Sequence, residues 1–368
     1  MKKILYIILF SLLLTSCSGG EQYVSIPEII AEETDDYIPL SDNRTRNSIN
    51  MGYDTFDGRY LYNFGGLLDT VDNIIKDTCT QPGCTHNTET CERKFYVQRS
   101  IKAYNGGLLY TDKNKLYFRK NSEDTLLYEN DFYTDFEQEN YARKGFFDIA
   151  LLDDDGIICS GVNFVFKVGY DGQLIYKPVV FSEKEFANDV SLVDSQTVLI
   201  CTASMNIISL DLSTGEITQV KEHARTPVYI DGKIYYIFIE DENNVYYLSL
   251  NRCDINGKND ERLLDDCYIY CVTHDYIFYT KDSEAFSLFR YDLNSKENKV
   301  ILDLKELTDA YMKESPDADL FGTTVKDPLY FPAADALILP TDEHGTIGYV
   351  VMDGKGENPV YVKGETFA

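Results

Sequence analysis

Tryptophan is absent from the 368 residues, and histidine occurs only four times. Positive charge is scarce: 34 Lys+Arg face 61 Asp+Glu, for a formal net charge of −27. A general nucleic-acid binder, or a protein that lies on anionic lipid, needs a net positive face, so both classes are excluded. Without tryptophan, any stacking on sugar rings falls to the 29 Tyr and 20 Phe. Several catalytic signatures are missing as well. No G-x-S-x-G elbow occurs, which argues against a serine peptidase of that kind. No H-E-x-x-H occurs, and no repeated Ser-x-Asp-x-Gly boxes, which argues against a sialidase. His223, His274 and His344 are isolated and read as turn or surface residues. What is present is a chain with 44% hydrophobic residues, too apolar for a disordered acidic tail. Its length suits one large or two ordinary domains with a full core.

The N-terminus reads Met1-Lys2-Lys3, then an apolar run from Ile4 to Leu14, then Thr15-Ser16-Cys17. A basic start followed by such a run is a secretory signal. The run is shorter than the ~20 apolar residues of a membrane span. Leu14-Thr15-Ser16-Cys17 resembles the lipobox of bacterial lipoproteins. That resemblance implies removal of residues 1–16 and lipidation of Cys17, which places the chain on the outer face of the cell membrane. Residues 17–48 then form a lipidated, acidic stalk, with Glu32-Glu33-Thr34-Asp35-Asp36 at its centre.

From residue 49 to residue 368 the character changes. Short runs of Tyr, Phe, Val, Ile and Leu alternate with Gly, Asn and Asp clusters, the pattern of many short antiparallel strands. A unit recurs: an Asp or Asn turn, an aromatic or apolar strand, a second turn, a second such strand. Its leading residues are Asp57, Asn105, Asp155, Asp194, Asp231 and Asp275, at gaps of 48, 50, 39, 37 and 44 residues. A last, weaker unit holds Ala336-Leu337-Ile338-Leu339 and Gly348-Tyr349-Val350-Val351. Asn-Gly and Asp-Gly supply the positive φ of tight hairpins. A repeat of this length with four strands per unit is the spacing of propeller blades. The expectation is an all-β chain, a β-propeller of seven blades. Six and eight blades are the alternatives in number, and a sandwich pair or β-helix the alternatives in architecture. Two stretches interrupt the repeat: a helical insert at about 304–315, with Leu304, Leu307 and Tyr311 at helical spacing, and an acidic, aromatic insert at 131–144.

Val228-Tyr-Ile-Asp-Gly-Lys-Ile-Tyr-Tyr-Ile237 and Arg252-Cys-Asp-Ile-Asn-Gly-Lys258 carry a resemblance to propellers of surface lipoproteins of Gram-positive anaerobes. Those propellers are similar to the low-density-lipoprotein-receptor type. Here Phe278-Tyr279-Thr280-Lys281 and Leu109-Tyr110-Thr111-Asp112 only echo the receptor's Tyr-Trp-Thr-Asp, so the receptor's function does not transfer.

One chemical cluster stands out. Cys79, Cys84, His86 and Cys91 follow C-x4-C-x-H-x4-C, and a similar element belongs to the lipoprotein propellers just named. Three thiols and an imidazole are the ligand set of a closed tetrahedral Zn²⁺ site. A disulfide among Cys79, Cys84 and Cys91 is the alternative in an exported chain, and free thiols a third. Cys159 and Cys201 read as buried strand residues, and Cys253 and Cys267 lie on neighbouring strand candidates that a hairpin disulfide could join. The acidic turns Asp153–Gly156 and Asp241–Asn244 offer hard oxygen ligands for Ca²⁺, but read first as solvated hairpin tips.

Taken together, these features point to a membrane-tethered binding module with a peptide, glycan or envelope-protein partner outside the cell. No catalytic residue pair emerges, so a hydrolase or lyase using carboxylates comes second. A scaffold or sensor in an envelope complex is the third reading.

Overall fold

The computed structural model describes residues 55–56, 60–63, 66–77, 100–121, 123–130, 147–161, 163–181, 187–242, 245–281, 283–284, 287–304, 324–325, 328–331, 335–343 and 346–362. The lipobox, the stalk, the Cys/His cluster, the 131–144 insert and residues 305–315 lie outside these.

The chain forms a seven-bladed β-propeller. Blade 1 comprises Thr55–Phe56 (β1), Tyr60–Asn63 (β2), Gly66–Asp69 (β3) and Ile74–Asp77 (β4). Blade 2 comprises Ile101–Tyr104 (β5), Gly107–Asp112 (β6), Lys115–Lys120 (β7) and Glu123–Glu129 (β8). Blade 3 comprises Phe147–Leu152 (β9), Gly156–Gly161 (β10), Phe164–Gly169 (β11) and Leu174–Val180 (β12). Blade 4 comprises Ala187–Leu192 (β13), Thr197–Thr202 (β14), Ile207–Asp211 (β15) and Ile217–Lys221 (β16). Blade 5 comprises Ala224–Ile230 (β17), Lys233–Glu242 (β18), Val245–Asp254 (β19) and Glu261–Asp265 (β20). Blade 6 comprises Ile269–Val272 (β21), Tyr276–Thr280 (β22), Ser287–Asp292 (β23) and Asn298–Asp303 (β24). Blade 7 comprises Thr324–Val325 (β25), Leu329–Phe331 (β26), Ala336–Glu343 (β27), Thr346–Asp353 (β28) and Val360–Val362 (β29). Each sheet is an antiparallel meander, and in blade 7 both β25 and β26 pair with β27.

Burial gives the radial order. The first strands of neighbouring blades approach one another, β1 with β5, β9 with β13 and β13 with β17, so they line the central axis. Second and third strands such as β10, β11, β14 and β22 are buried almost throughout. Fourth strands β8, β12, β16 and β24 are mostly exposed and form the rim. A blade cannot cover both its faces alone, so neighbours bury them, at about 1.5–3 kcal/mol per large apolar side chain. Leu109, Phe147, Ile157 and Phe166 join blades 2 and 3. Val228, Ile237, Tyr270 and Ile277 join blades 5 and 6. The ring closes through Leu61 and Leu68 of blade 1 against Leu329, Phe331, Ile338 and Tyr349 of blade 7. Every blade is made of consecutive strands. No strand from one chain end completes the other end's sheet among the described residues, so side-chain packing makes this seam. Leu304 is buried between blades 6 and 7.

The repeat read from the sequence has the right period and a shifted phase. Asn105, Asp155, Asp194, Asp231 and Asp275 all sit in the turn between a blade's first and second strands. Blades therefore begin one strand earlier than the Asp or Asn signal. Asn105-Gly106 and Asp231-Gly232 are the clearest of these turns, with φ of 46° and 67° and of 51° and 77°.

A second set of turns, between third and fourth strands, accounts for part of the acidity. Asp211 Oδ1 accepts from the amides of Ser213 and Thr214, and Asp292 Oδ1 from those of Asn294 and Ser295. Asp353 Oδ1 accepts from the amides of Lys355 and Glu357. The turns between third and fourth strands in blades 3 and 5 also dock on the blade before. A Cβ at Gly172 would come within 2.2 Å of Leu127 O on β8, and one at Gly257 within 2.4 Å of Val220 O on β16.

Hydrogen bonding to the ionised form lowers these carboxyls. The Ser213 hydroxyl lowers Asp211, the Lys233 ammonium Asp254, and the Ser295 amide Asp292. At Asp353 burial pulls upward, but the Glu357 amide and Asn358 side chain outweigh it. A carboxyl lowered in the folded state binds fewer protons than in the unfolded chain, so its stabilisation is present above the unfolded pKa of about 4 and is lost below it. Tm should hold from neutral pH to about 5 and fall steeply below about 4. Asn at 211, 254 and 292 together should flatten that acid limb. A Tm that is level down to pH 3 contradicts the assignment.

Candidate functional site

Four axis-lining strands carry a charge near their starts. Lys102, Asp148, Asp189 and Arg225 stand within three residues of the first residue of β5, β9, β13 and β17. Their cross-strand partners are Leu109, Ser160, Cys201 and Ile237. Cross-strand partners share a sheet face. Leu109 belongs to the core between blades 2 and 3, and Ile237 to that between blades 5 and 6. Ser160 pairs with Val165, which packs between blades 3 and 4, and Cys201 with Ile207, which packs between blades 4 and 5. Each charged residue therefore occupies the face turned towards the next blade, at the same end of the ring. Lys102 is 2% exposed and Asp189 8%. Asp148 is open to solvent and Arg225 partly so.

Strands β13 and β17 run beside each other, and there polar atoms are left over. Ser191 Oγ, Arg225 Nε and Thr226 Oγ1 are buried with no hydrogen-bond partner among the described residues. No buried side-chain polar atom off these two strands shares that condition, again among the described residues. Each such group costs about 1–3 kcal/mol. The backbone is strained at the same place. The register of β17 on β18 shifts between Arg225 and Val228. Within that bulge Thr226, a β-branched residue preceding Pro227, has φ of 58°. The Tyr270 hydroxyl holds the distortion by hydrogen bonding to Thr226 O and Tyr235 O. The Arg225 guanidinium lies 5.5 Å from the centre of the Tyr268 ring. Ser191, paired with Leu199 of the core between blades 4 and 5, and Arg225, turned towards blade 6, flank β17 on its two sides, so a polar guest reaching both lies across the inner edge of β17.

The other axis-lining contacts are satisfied. Ser100 Oγ accepts from the Ile149 amide at 3.1 Å and faces Ile149 O at 3.4 Å, tying β5 to β9. Lys167 of β11 is a second buried cation, and it is fully engaged. Its Nζ is 2.5 Å from Asp153 Oδ2 and donates to Ser195 O at 2.7 Å. Asp153 Oδ1 accepts from the amides of Asp155 and Gly156. The turn at 153–156 is thus not simply a solvated tip: Asp154 and Asp155 are exposed, while Asp153 is a buried ion-pair partner.

Of the site residues expected from the sequence, Cys17, Cys79, Cys84, His86 and Cys91 lie outside the described residues. Among the described ones, no group of three or more His, Cys, Asp and Glu is gathered to hold a metal. Cys159, Cys201, Cys253, Cys267 and Cys271 are buried and form no disulfide among the described residues. A Cys253–Cys267 bridge does not form, because Cys253 packs between blades 4 and 5 and Cys267 between blades 5 and 6. Burial, then the charge of Asp148, pushes the Cys159 thiol well up, and burial pushes Cys253 up to about 11. Neither is a nucleophile at neutral pH. His223 is an exposed turn residue, and His274 Nδ1 lies 2.6 Å from Asp231 Oδ2 on the surface.

The polar residues on the first strands were not singled out in the sequence. Their signal was a lone charge between apolar neighbours, as in Ile101-Lys102-Ala103 and Phe147-Asp148-Ile149.

No protein family matches the chain, and no curated protein matches it. Solved structures similar to it include an oligogalacturonate lyase in complex with manganese, at 10% identity and TM-score 0.47 over 70% of this chain and 73% of that one. An oligogalacturonate lyase from Vibrio parahaemolyticus matches at 10% identity and TM-score 0.46, over 72% and 76%. BamB from Moraxella catarrhalis matches at 12% identity and TM-score 0.41, over 70% and 74%. At these values the likenesses carry nothing about activity.

Proposed function

We propose that the chain is a binding propeller, tethered to the outer face of the cell membrane by a lipid on Cys17. It takes an extracellular ligand, a glycan or a peptide, at the end of the axis where β13 and β17 meet. One observation carries this reading: the unpartnered buried atoms of Ser191, Arg225 and Thr226, gathered on two adjacent axis-lining strands beside a strained bulge. A fold keeps such a cost where a guest relieves it. The anchor rests on the lipobox, and a structural Zn²⁺ or a disulfide at Cys79, Cys84, His86 and Cys91 belongs to the same reading.

Purified chain applied to glycan and peptide arrays tests it. A ligand should bind and should lose about tenfold or more in affinity on Ser191→Ala, while Tm stays level or rises because an unpartnered hydroxyl has gone. Unchanged affinity with a Tm lowered by several degrees makes Ser191 structural and removes the proposal's support. Protease added to intact cells should cut the propeller; full protection contradicts the location.

A carboxylate-catalysed hydrolase or lyase has one observation in its favour. Asp148 and Asp189 stand near the starts of adjacent axis-lining strands, β9 and β13. Turnover of a bound glycan that both Asp148→Asn and Asp189→Asn abolish would establish it.

A further inference from the structure

The described arginines divide unequally. Arg119 pairs with Asp124 at 2.7 Å, Arg252 with Glu261 at 2.7 Å, Arg262 with Asp265 at 2.5 Å, and Arg290 with Glu357 at 3.5 Å. Arg225 is the exception: among the described residues it meets no carboxylate, and its Nε has no hydrogen-bond partner. In a chain with 61 acidic and 34 basic residues, an arginine without an acid is improbable by composition alone. Here that arginine stands on an axis-lining strand and is partly open to solvent.

Its surroundings prepare it for a guest. The Tyr268 ring supports the guanidinium 5.5 Å away, and Nε is left without a partner among the described residues. Next to it the bulge at Thr226 is held against its own strain by Tyr270, on the neighbouring innermost strand. Strain that the surroundings maintain beside an unpaired cation is a mark of a binding position. Arg225, paired with Ile237, is turned towards blade 6, whereas Cys201, the register partner of Asp189, pairs with Ile207, which packs between blades 4 and 5. The charge of Asp189 is thus on the other side of β17.

We infer that Arg225 receives a carboxylate of the bound ligand, the acid group of an acidic sugar or of a peptide C-terminus. A planar guanidinium matches a planar monoanion through two parallel N–H···O bonds. A phosphate dianion would keep excess charge beside a protein of net charge −27. This assignment rests on the binding reading above and narrows it to one ligand class.

The full chain is titrated calorimetrically with glucuronate against glucose, with an N-acetylated tripeptide acid against its amide, and with inorganic phosphate. The acid of one pair should bind and its neutral analogue should not, and the pair that responds identifies the source. Arg225→Gln should weaken that acid roughly tenfold to a hundredfold. Arg225→Lys should retain part of the affinity, which separates loss of charge from loss of fold. Binding of neither acid, phosphate tighter than both, or indifference to Arg225→Gln overturns the inference. If the glucose or the amide binds as tightly as its acid, and Ser191→Ala weakens that binding, the inference fails while the binding propeller stands.

Discussion

Asp153→Ala should cost about 3–5 kcal/mol of stability, one of the two largest losses expected from a single substitution in this chain. The reason is what it leaves behind. The Lys167 side chain is 1% exposed and that of Asp153 6%, so water cannot replace the lost carboxylate. Asp155 Oδ2 is 3.9 Å away, but its side chain is 63% exposed and cannot solvate the ammonium in its place. The variant also loses the acceptor for the amides of Asp155 and Gly156, which shape the turn between β9 and β10. Lys167 reaches on to Ser195 O in blade 4, so the damage should spread across the joint between blades 3 and 4. Lys167→Met alone should also be costly, because it leaves the Asp153 carboxylate buried without its cation, whereas removing both partners together removes both buried charges. The double variant should therefore be more stable than Asp153→Ala alone. Denaturant unfolding of the three variants checks this. A loss under about 1 kcal/mol for Asp153→Ala would falsify the account.

Phe331→Ala should cost a similar amount, about 3–5 kcal/mol, and its manner should be distinctive. Phe331 is 2% exposed in the seam that joins blade 7 to blade 1. Among the described residues that seam consists of packed side chains, without a strand shared between the chain ends. Truncation at Phe166, 1% exposed between blades 2 and 3, removes a comparable ring from a joint that the chain itself spans. The two variants should lose comparable stability. Only Phe331→Ala should raise amide exchange first in β2, β3, β27 and β28. Exchange that rises evenly round the ring in both would show that the seam is no weaker than the other joints.

What could be read in advance follows from burial. Second and third strands are covered on both faces, so they appear as dense apolar runs such as Val198-Leu199-Ile200-Cys201 and Ile277-Phe278-Tyr279. First and fourth strands escaped notice for opposite reasons. A rim strand such as Glu123–Glu129 is largely exposed and carries little apolar signal. An axis-lining strand such as Ala187–Leu192 mixes Asp189 and Ser191 into its apolar positions. Losing first strands is what shifted the blades by one strand. It also hid the candidate site, whose polar residues all lie on those strands. Lys167 was hidden differently: nothing near Phe164-Val165-Phe166-Lys167 announces that Ser195, 28 residues on, completes its environment. The Cys/His cluster was conspicuous because its ligand types are adjacent in sequence, whereas the axis residues come together only when four blades stand side by side.

The turns that carry Gly172 and Gly257 lean on β8 and β16, strands that precede them in the chain. The joints thus have a direction. A chain made from its N-terminus has the acceptor edge for each of these two turns already built when that turn arrives. Blades 3 and 5 can each dock on the preceding blade as they emerge, and blade 7 meets blade 1 only when the whole ring is made. The order of synthesis and the order of assembly coincide, and the seam at Phe331 is the one joint that must form last.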